Sequence, residues 1–243
     1  MKIGAIIQAR TGSTRLPEKV LMKLIDKTVL EHVVERVNQA ELIDTVIVAT
    51  TVSESDNKIA ELAENQNWPY YRGSEEDVLS RYFESAEKFD LDIIVRVTSD
   101  CPLIDPFIID SVIRAFIEQK CDIASNGGPE EFKTFPRGLD VEVFSFEGLR
   151  EAYLKATEKY QREHVTPYLY ESEKVYRYSN SIDLSHIRIT LDTHEDFKLI
   201  NSIYEGLYKG KHDFYFKEII SFLEAYPELL ELNKDIVQKK LTE

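Results

Sequence analysis

Cysteine is scarce in this chain. There are two, Cys101 and Cys121, in 243 residues. That is too few for a disulfide scaffold, and the pair shows no metal-ligand spacing, so both read as reduced, mostly buried thiols. Long apolar runs are missing as well, and none approaches the length that crosses a bilayer. Met1-Lys2 leads straight into an apolar segment without a small-residue cleavage site, which places the protein in the cytoplasm. Cations are outnumbered, with 30 Lys and Arg against 44 Asp and Glu and a formal net charge of −14. Such a balance disfavours attachment to nucleic acid or to an anionic membrane. Internal repeats, low-complexity tracts and flexible linkers are absent. What remains is the composition of an ordinary globular protein, long enough for one large α/β domain or a domain with a small lobe.

Strand and helix patterns alternate through the first half. Ile3-Gly4-Ala5-Ile6-Ile7 is short, rich in β-branched residues and ended by a turn signal, as a buried strand is. Val29 to Val37 repeats apolar residues at helical spacing, with His32 as an ordinary helix histidine. Thr45 to Thr51 reads as a strand, Ser53 to Asp56 as cap chemistry for a helix through Ile59 and Leu62, and Trp68-Pro69-Tyr70-Tyr71 as an edge strand that tolerates proline. Ser74 to Asp77 fits a capping box loosely ahead of a helix through Val78, Leu79, Tyr82 and Phe83. Asp92 to Val97 is the strongest strand signal. The alternation predicts a mostly parallel sheet covered by helices on both faces. Ligands of such sheets bind outside the carboxyl ends of the strands, in a crevice that here holds Arg10, Thr50, Arg72 and Asp100.

The second half predicts strands at Asp122–Asn126, Arg137–Phe144, Lys174–Ser179 and Ile187–Leu191. A breaker, Gly127-Gly128-Pro129, follows the first of them. Within Arg137–Phe144, Leu139, Val141 and Val143 share one face, while Asp140, Glu142 and Phe144 share the other. Helical pattern runs from Phe146 to Tyr160, again from Phe197, and from Phe216 to Leu241 with a break at Pro227.

Two constellations carry chemistry. The first is the loop after the opening strand, Gln8-Ala9-Arg10-Thr11-Gly12-Ser13-Thr14-Arg15-Leu16-Pro17-Glu18-Lys19. Arg10, Arg15 and Lys19 gather positive charge around a glycine and hydroxyls, which suits an anionic phosphate. With no Gly-Lys-Ser/Thr ending it is not a P-loop, and with one glycine it is not a dinucleotide fingerprint. A solvated basic turn is the plain alternative. The second is a pair of aspartates, Asp100 and Asp192, each ending an apolar strand. Two carboxylates at one rim, with phosphate oxygens and water, suit Mg²⁺; an aspartate before Thr193-His194-Glu195 also suits a simple helix cap.

The opening loop, Arg96-Val97-Thr98-Ser99-Asp100-Cys101-Pro102-Leu103-Ile104-Asp105, Arg137-Gly138-Leu139-Asp140-Val141-Glu142, Arg162-Glu163-His164-Val165-Thr166-Pro167 and Leu191-Asp192-Thr193-His194-Glu195-Asp196 together resemble a known family. It is that of the cytidylyltransferases that make CMP-activated acid sugars, the CMP-Kdo and CMP-sialic acid synthetases. The resemblance is closer to their relatives named for spore coat polysaccharide biosynthesis protein F, and the Arg-Glu-His-Val-Thr-Pro stretch is specific to that subgroup. It implies one Rossmann-like domain of the nucleotide-diphospho-sugar transferase type over 1–243. Residues 1–120 form the nucleotide-binding half, and about 130–185 a sugar-binding and dimerisation arm, hence a homodimer.

The resemblance also implies roles. CTP would lie on Gln8, Ala9, Arg10, Thr11, Gly12, Ser13, Arg15 and Lys19, with Thr50, Ser99 and Asp100 in the same crevice. The pyrimidine would meet Arg72, Gly73, Ser74, Asp77 and Val78. Asp100 and Asp192 would hold Mg²⁺ as the cofactor, and they join Arg10, Arg15 and Lys19 as catalytic residues. A sugar substrate would meet Arg137 through a carboxylate and Asp140, Glu142 and His164 through hydroxyls. Asp140 and Glu142 read equally as the wet face of a strand, and His164 as a turn cap. Two positions depart from the family pattern: Glu18 stands where glycine is usual, placing negative charge beside the loop, and His194 replaces a common proline. The expected reaction is CMP transfer from CTP to a sugar hydroxyl with release of pyrophosphate, in surface polysaccharide or glycoconjugate synthesis. A glycosyltransferase acting on a nucleotide sugar and a non-catalytic nucleotide-binding protein are the rival readings. Against the first, Asp90-Leu91-Asp92 precedes its strand and so lies at the wrong rim for the metal.

Overall fold

The computed structural model describes residues 1–128, 132–172 and 174–237. Strand β1 (Ile3–Gln8) leads into the polar loop and a 3₁₀ turn at Lys19–Leu21. A small hairpin of β2 (Lys23–Leu24) and β3 (Lys27–Thr28) precedes helix α1 (Val29–Val37). Then come β4 (Thr45–Thr51), α2 (Asn57–Asn65), β5 (Tyr70–Gly73), α3 (Val78–Lys88), β6 (Ile93–Thr98) and α4 (Pro106–Gln119). The second half adds β7 (Ile123–Ser125), β8 (Glu142–Ser145), α5 (Phe146–Lys155), α6 (Lys159–His164), α7 (Pro167–Tyr170), β9 (Val175–Arg177), α8 (His194–Leu207) and α9 (Phe216–Ala225).

Seven strands form one sheet in the order β5-β4-β1-β6-β8-β7-β9. The block β5-β4-β1-β6 is parallel, β8 runs antiparallel to both its neighbours, and β9 is parallel to β7. From β1 the chain moves outward to β4 and β5, then returns to place β6 on the other side. The reversal opens a crevice at the carboxyl ends of β1 and β6. Alternation along the strands separates two cores. Ile3, Ala5, Ile7, Ile93, Val95 and Val97 pack with α1, α4 and α8, while Ile6 and Ile94 pack with α3 and α5 on the opposite face.

Caps set the helix starts. Thr28 and Glu31 form a capping box on α1, and Thr193 with Asp196 does the same for α8. Asp105 caps α4 through the N–H groups of Phe107 and Ile108, with Pro106 in the first turn.

Several expectations need correction. Ile187–Leu191 buries every residue but Arg188, yet forms only an isolated bridge, Arg137 to Arg188. Of the Arg137–Phe144 pattern, only the end from Glu142 is ladder-paired. Gly138 interrupts it at φ 106°, and a Cβ there would meet the Ile189 backbone at 2.6 Å. The helix expected over Phe146–Tyr160 is two helices, α5 and α6. Asp77, not Ser74, caps α3, and Ser74 caps the turn before it by accepting from the Asp77 N–H at 3.0 Å. His32 is wholly buried: its ring bonds Leu24 O and His212, and burial lowers its pKa. The tail after α9 becomes a 3₁₀ stretch, Pro227–Leu232. Pro129, part of the second-half arm at 130, 131 and 173, and the helical pattern past 237 lie outside the described residues.

Candidate active site

The loop after β1 is held from below by a buried carboxylate. Asp56 accepts the Thr11 N–H and the Thr11 hydroxyl, both at 2.7 Å, on one oxygen and the Thr51 hydroxyl on the other. Thr11 O accepts from Ser13 and Glu18 N–H at 2.8 and 3.0 Å, which curls the loop back on itself. Residue 18 closes the curl at φ 54°, the left-handed geometry that glycine favours. Here glutamate takes that conformation, and its carboxylate pairs with Lys58 at 2.6 Å, which offsets its charge.

The three cations divide. Arg10 is about half exposed and meets Glu75 loosely at 3.7 Å. Arg15 reaches Asp192 at 3.0 Å. Lys19 turns inward, and its ammonium donates to Asp100 Oδ2 at 2.8 Å, Asp192 Oδ1 at 2.7 Å and the Leu191 carbonyl at 2.8 Å. An ammonium has three N–H bonds, so all three are used.

The two aspartates converge because the backbone stitches their segments together. Leu191 N–H donates to Asp100 O at 2.8 Å, and the Thr190 hydroxyl donates to the same carbonyl at 3.2 Å. Thr98 Oγ1 holds the other Asp100 oxygen at 2.6 Å. Arg188 steadies Asp192 at 2.8 Å while also binding Asp196, and Asp196 accepts the Asp192 and Thr193 N–H groups at 3.0 Å each. Burial works against charge on Asp192, but Lys19, Arg188 and Arg15 outweigh it and bring its pKa down to about 2. Burial likewise opposes the Lys19 ammonium, but Asp100 and Asp192 win and raise its pKa.

No third carboxylate, histidine or cysteine completes a metal cluster among the described residues. The Lys19 ammonium lies between the two carboxylates; as a donor set, Asp100 and Asp192 fit Mg²⁺, which takes one or two carboxylates and keeps phosphate oxygens and water for the rest. They do not fit structural zinc, which wants four protein ligands.

The remaining candidates spread around this centre. Gln8 accepts from the buried Tyr82 hydroxyl at 3.2 Å, and Ala9 N–H bonds Ala49 O at 3.0 Å. Ser99 N–H donates to Gln8 O, and Thr50 is wholly buried with a hydroxyl lacking a protein partner. Gly12 lies exposed near Glu75. Arg72 spans the carbonyls of Thr51 and Ser53 at 2.9 and 3.0 Å. Gly73 O accepts from Val52, and Ser74 O accepts from the buried Arg81 at 2.6 Å. Asp77 is gripped by Arg162, and Val78 lies in the second core.

On the second-half side, Asp140 accepts from Lys133 at 2.8 Å and Gly138 N–H at 3.1 Å. Burial disfavours its charge, yet Lys133 and these donors hold its pKa below the ordinary value. Glu142 is no wet-face residue: it is buried, ion-paired to Arg96, and takes the hydroxyls of Thr166 at 3.0 Å and Tyr170 at 2.7 Å. Arg137 is tied through its N–H to Ile187 O at 3.0 Å, and the His164 carbonyl accepts from Thr166 N–H at 2.8 Å. A separate groove of about 710 Å³, lined by Arg150, Lys155 and Tyr168 among others, contains none of these residues.

Sequence reasoning overlooked Arg188, Asp56 and Arg162. Arg188 had a signal, because period two puts Arg188, Thr190 and Asp192 on one side of an extended segment. Asp56 looked like a helix cap and nothing more.

A family model described as cytidylyltransferase matches residues 4–240. The chain belongs to the cytidylyltransferase family. Spore coat polysaccharide biosynthesis protein SpsF of Bacillus subtilis is 32% identical, over 92% of this chain and 94% of its own length. An uncharacterised protein of Methanocaldococcus jannaschii is 39% identical, covering 100% of this chain and 99% of its own. The solved structure of a cytidylyltransferase from Leptospira borgpetersenii superposes with a TM-score of 0.88 at 33% identity, covering 99% of this chain and 100% of that one. The mostly parallel sheet with flanking helices is thus the cytidylyltransferase fold, of the nucleotide-diphospho-sugar transferase type.

Proposed function

We propose that this cytidylyltransferase transfers CMP from CTP to the hydroxyl of a sugar, an acidic one by its family resemblance, with Mg²⁺ held by Asp100 and Asp192. The observation that carries the reading is the convergence of Lys19, Asp100 and Asp192, drawn from three distant parts of the chain, beside the loop that bears Arg10 and Arg15. The sugar oxygen forms a bond to the α-phosphorus, the bond to the β-phosphate oxygen breaks, pyrophosphate leaves and the hydroxyl proton passes to solvent. Such transfers depend on positioning and charge neutralisation more than on covalent help from the protein.

Arg10 and Arg15 are exposed enough to turn onto the β- and γ-phosphates, and Arg10 gives up only a loose partner. Bound Mg²⁺ would neutralise phosphate charge and acidify the attacking hydroxyl. The sugar roles of Asp140 and Glu142 rest on the family resemblance, and Glu142 would act from a buried position, behind Arg96, Thr166 and Tyr170. The name of the SpsF relative supports a place in surface polysaccharide synthesis. Pairing of two copies through the second-half arm, in the cytoplasm, belongs to the same proposal.

A glycosyltransferase reading finds less support. Asp92 accepts from Lys2 N–H at the amino end of β6, the end away from the crevice. The deciding experiment incubates the protein and Mg²⁺ with each of the four nucleoside triphosphates plus a panel of acid sugars, and in parallel with CMP- and UDP-sugars, and measures pyrophosphate and free nucleotide. Release with CTP and an acceptor together is expected. Release of CMP or UDP from a nucleotide sugar, without pyrophosphate, would overturn the proposal.

A further inference from the structure

Apart from His164, a candidate for the sugar, the subgroup stretch Arg162-Glu163-His164-Val165-Thr166-Pro167 has no role in the chemistry above, yet its geometry is unusual. Helix α6 ends at His164, and the wholly buried Val165 adopts φ 71°, ψ −57°. A β-branched residue at positive φ is strained, by about 1–3 kcal/mol, and persists only where its surroundings over-determine it. The His164 carbonyl accepts the Thr166 N–H at 2.8 Å, a three-residue turn, and Pro167 starts α7 at once.

Both ends of this turn are anchored, and to different things. Arg162 lays its fork on Asp77, with Nε 3.1 Å from each carboxylate oxygen, while its NH1 donates to Tyr153 O at 2.7 Å. The guanidinium carbon stands 5.2 Å from the centre of the Tyr153 ring. Asp77 in turn caps α3 by accepting Ser80 N–H at 2.9 Å, and its own N–H donates to Ser74. At the far end Thr166 donates to Glu142, whose other oxygen faces Arg96.

We infer that residues 162–167 are a brace. It fixes the Gly73–Asp77 loop, where the pyrimidine is proposed to lie, relative to the Glu142–Arg96 pair on the proposed acceptor side. Arg162 is a positioning residue acting through Asp77, and Thr166 one acting through Glu142. The labels of the two sides rest on the proposed function; the mechanical claim does not. In-line transfer needs the attacking oxygen about 3–3.5 Å from phosphorus, and a misplacement near 1 Å costs on the order of a hundredfold in rate. A rigid link between the two binding surfaces answers that need.

The test combines amide hydrogen exchange of the ligand-free protein with CTP kinetics, using Arg162→Gln, Asp77→Asn, the double variant and Thr166→Val. Arg162→Gln should raise exchange in 73–80 by roughly tenfold while leaving β6 protected. Thr166→Val, which touches none of those residues, should raise exchange there too, by about threefold. KM for CTP should rise about tenfold in Arg162→Gln and in Asp77→Asn, and no further in the double variant, because both cut one link. A purely local structural role would lower the melting temperature with KM unchanged, confine the Thr166→Val effect to its own neighbours, or give multiplicative effects in the double variant; any of these overturns the brace. Should the wild type release no pyrophosphate from any nucleotide, the transfer reading falls, and exchange in 73–80 alone decides the brace.

Discussion

Replacing Lys19 with methionine removes the one charge shared by Asp100 and Asp192 and keeps most of the side chain's length. The ammonium lies 2.8 Å from one carboxylate oxygen and 2.7 Å from the other, so these oxygens stand within about 5.5 Å of each other. Two unit charges at that spacing, at an effective dielectric near 20, repel by about 3 kcal/mol. Removing one partner of a buried ionic group costs a similar amount, about 3–5 kcal/mol. Arg15 and Arg188 still hold Asp192 and offset part of this. The expected loss in a chelator near neutral pH is therefore about 3 kcal/mol, or roughly 6–12 °C in melting temperature for a chain of this length. Acid should narrow the gap, because two facing carboxylates without a cation share a proton readily. Millimolar Mg²⁺ should narrow it as well, by mass action on two carboxylates that no longer share an ammonium. It should shift the wild type less, because the Lys19 ammonium competes for the same carboxylate oxygens. Thermal melts across about pH 5–8, with and without Mg²⁺, read all of this. A deficit indifferent to both acid and Mg²⁺ would refute the shared-cation account.

The remaining predictions are simpler. Asp192 has a folded pKa near 2 against an ordinary 3.8, so its stabilisation is complete above the unfolded value and is lost as pH falls through the folded one. About 2 kcal/mol should disappear from wild-type urea stability between about pH 5 and 2, and Asp192→Asn should flatten that limb. Asp100→Ala should stop turnover while the protein still folds, at a smaller stability cost than Lys19→Met because Lys19 keeps Asp192 and the Leu191 carbonyl; pyrophosphate release and a melt check both halves. Asp56→Ala frees two donors on Thr11 in the loop and the Thr51 hydroxyl at the end of β4, and should cost about 2–3 kcal/mol while weakening CTP binding, read by calorimetry. Gly138→Ala forces a Cβ against Ile189 backbone at a positive φ and should cost at least about 2 kcal/mol in a denaturant titration.

The parallel half of the fold was readable because β1, β4 and β6 are apolar and paired along their length. Thr45–Thr51 and Ile93–Thr98 fall within a residue or two of their patterns. In Ile187–Leu191 the same alternation means something else. Period two reports an extended chain with Ile187, Ile189 and Leu191 buried, but its hydrogen bonds go to separate loops, Ile189 to Arg137 and Leu191 to Asp100. Pattern cannot tell a ladder from such stitching. The Asp100–Asp192 pairing was foreseeable from two strand ends at one rim. That Lys19 would lie between them was not, since a lysine's reach depends on a loop curl set by Asp56, forty-five residues beyond Thr11. Glu142 looked wet because a charged residue alternating with apolar ones usually is; Arg96, Thr166 and Tyr170 make it otherwise.

Asn233 donates to Arg188 O at 3.0 Å and to Asp196 at 2.8 Å, so the last fastening on Asp192 comes from near the end of the described chain. A polypeptide still on the ribosome at residue 120 has both Lys19 and Asp100 but nothing to set the second carboxylate. The parallel strands can form early, as amino-terminal segments do during synthesis, while the cation seat waits for the final helices to emerge.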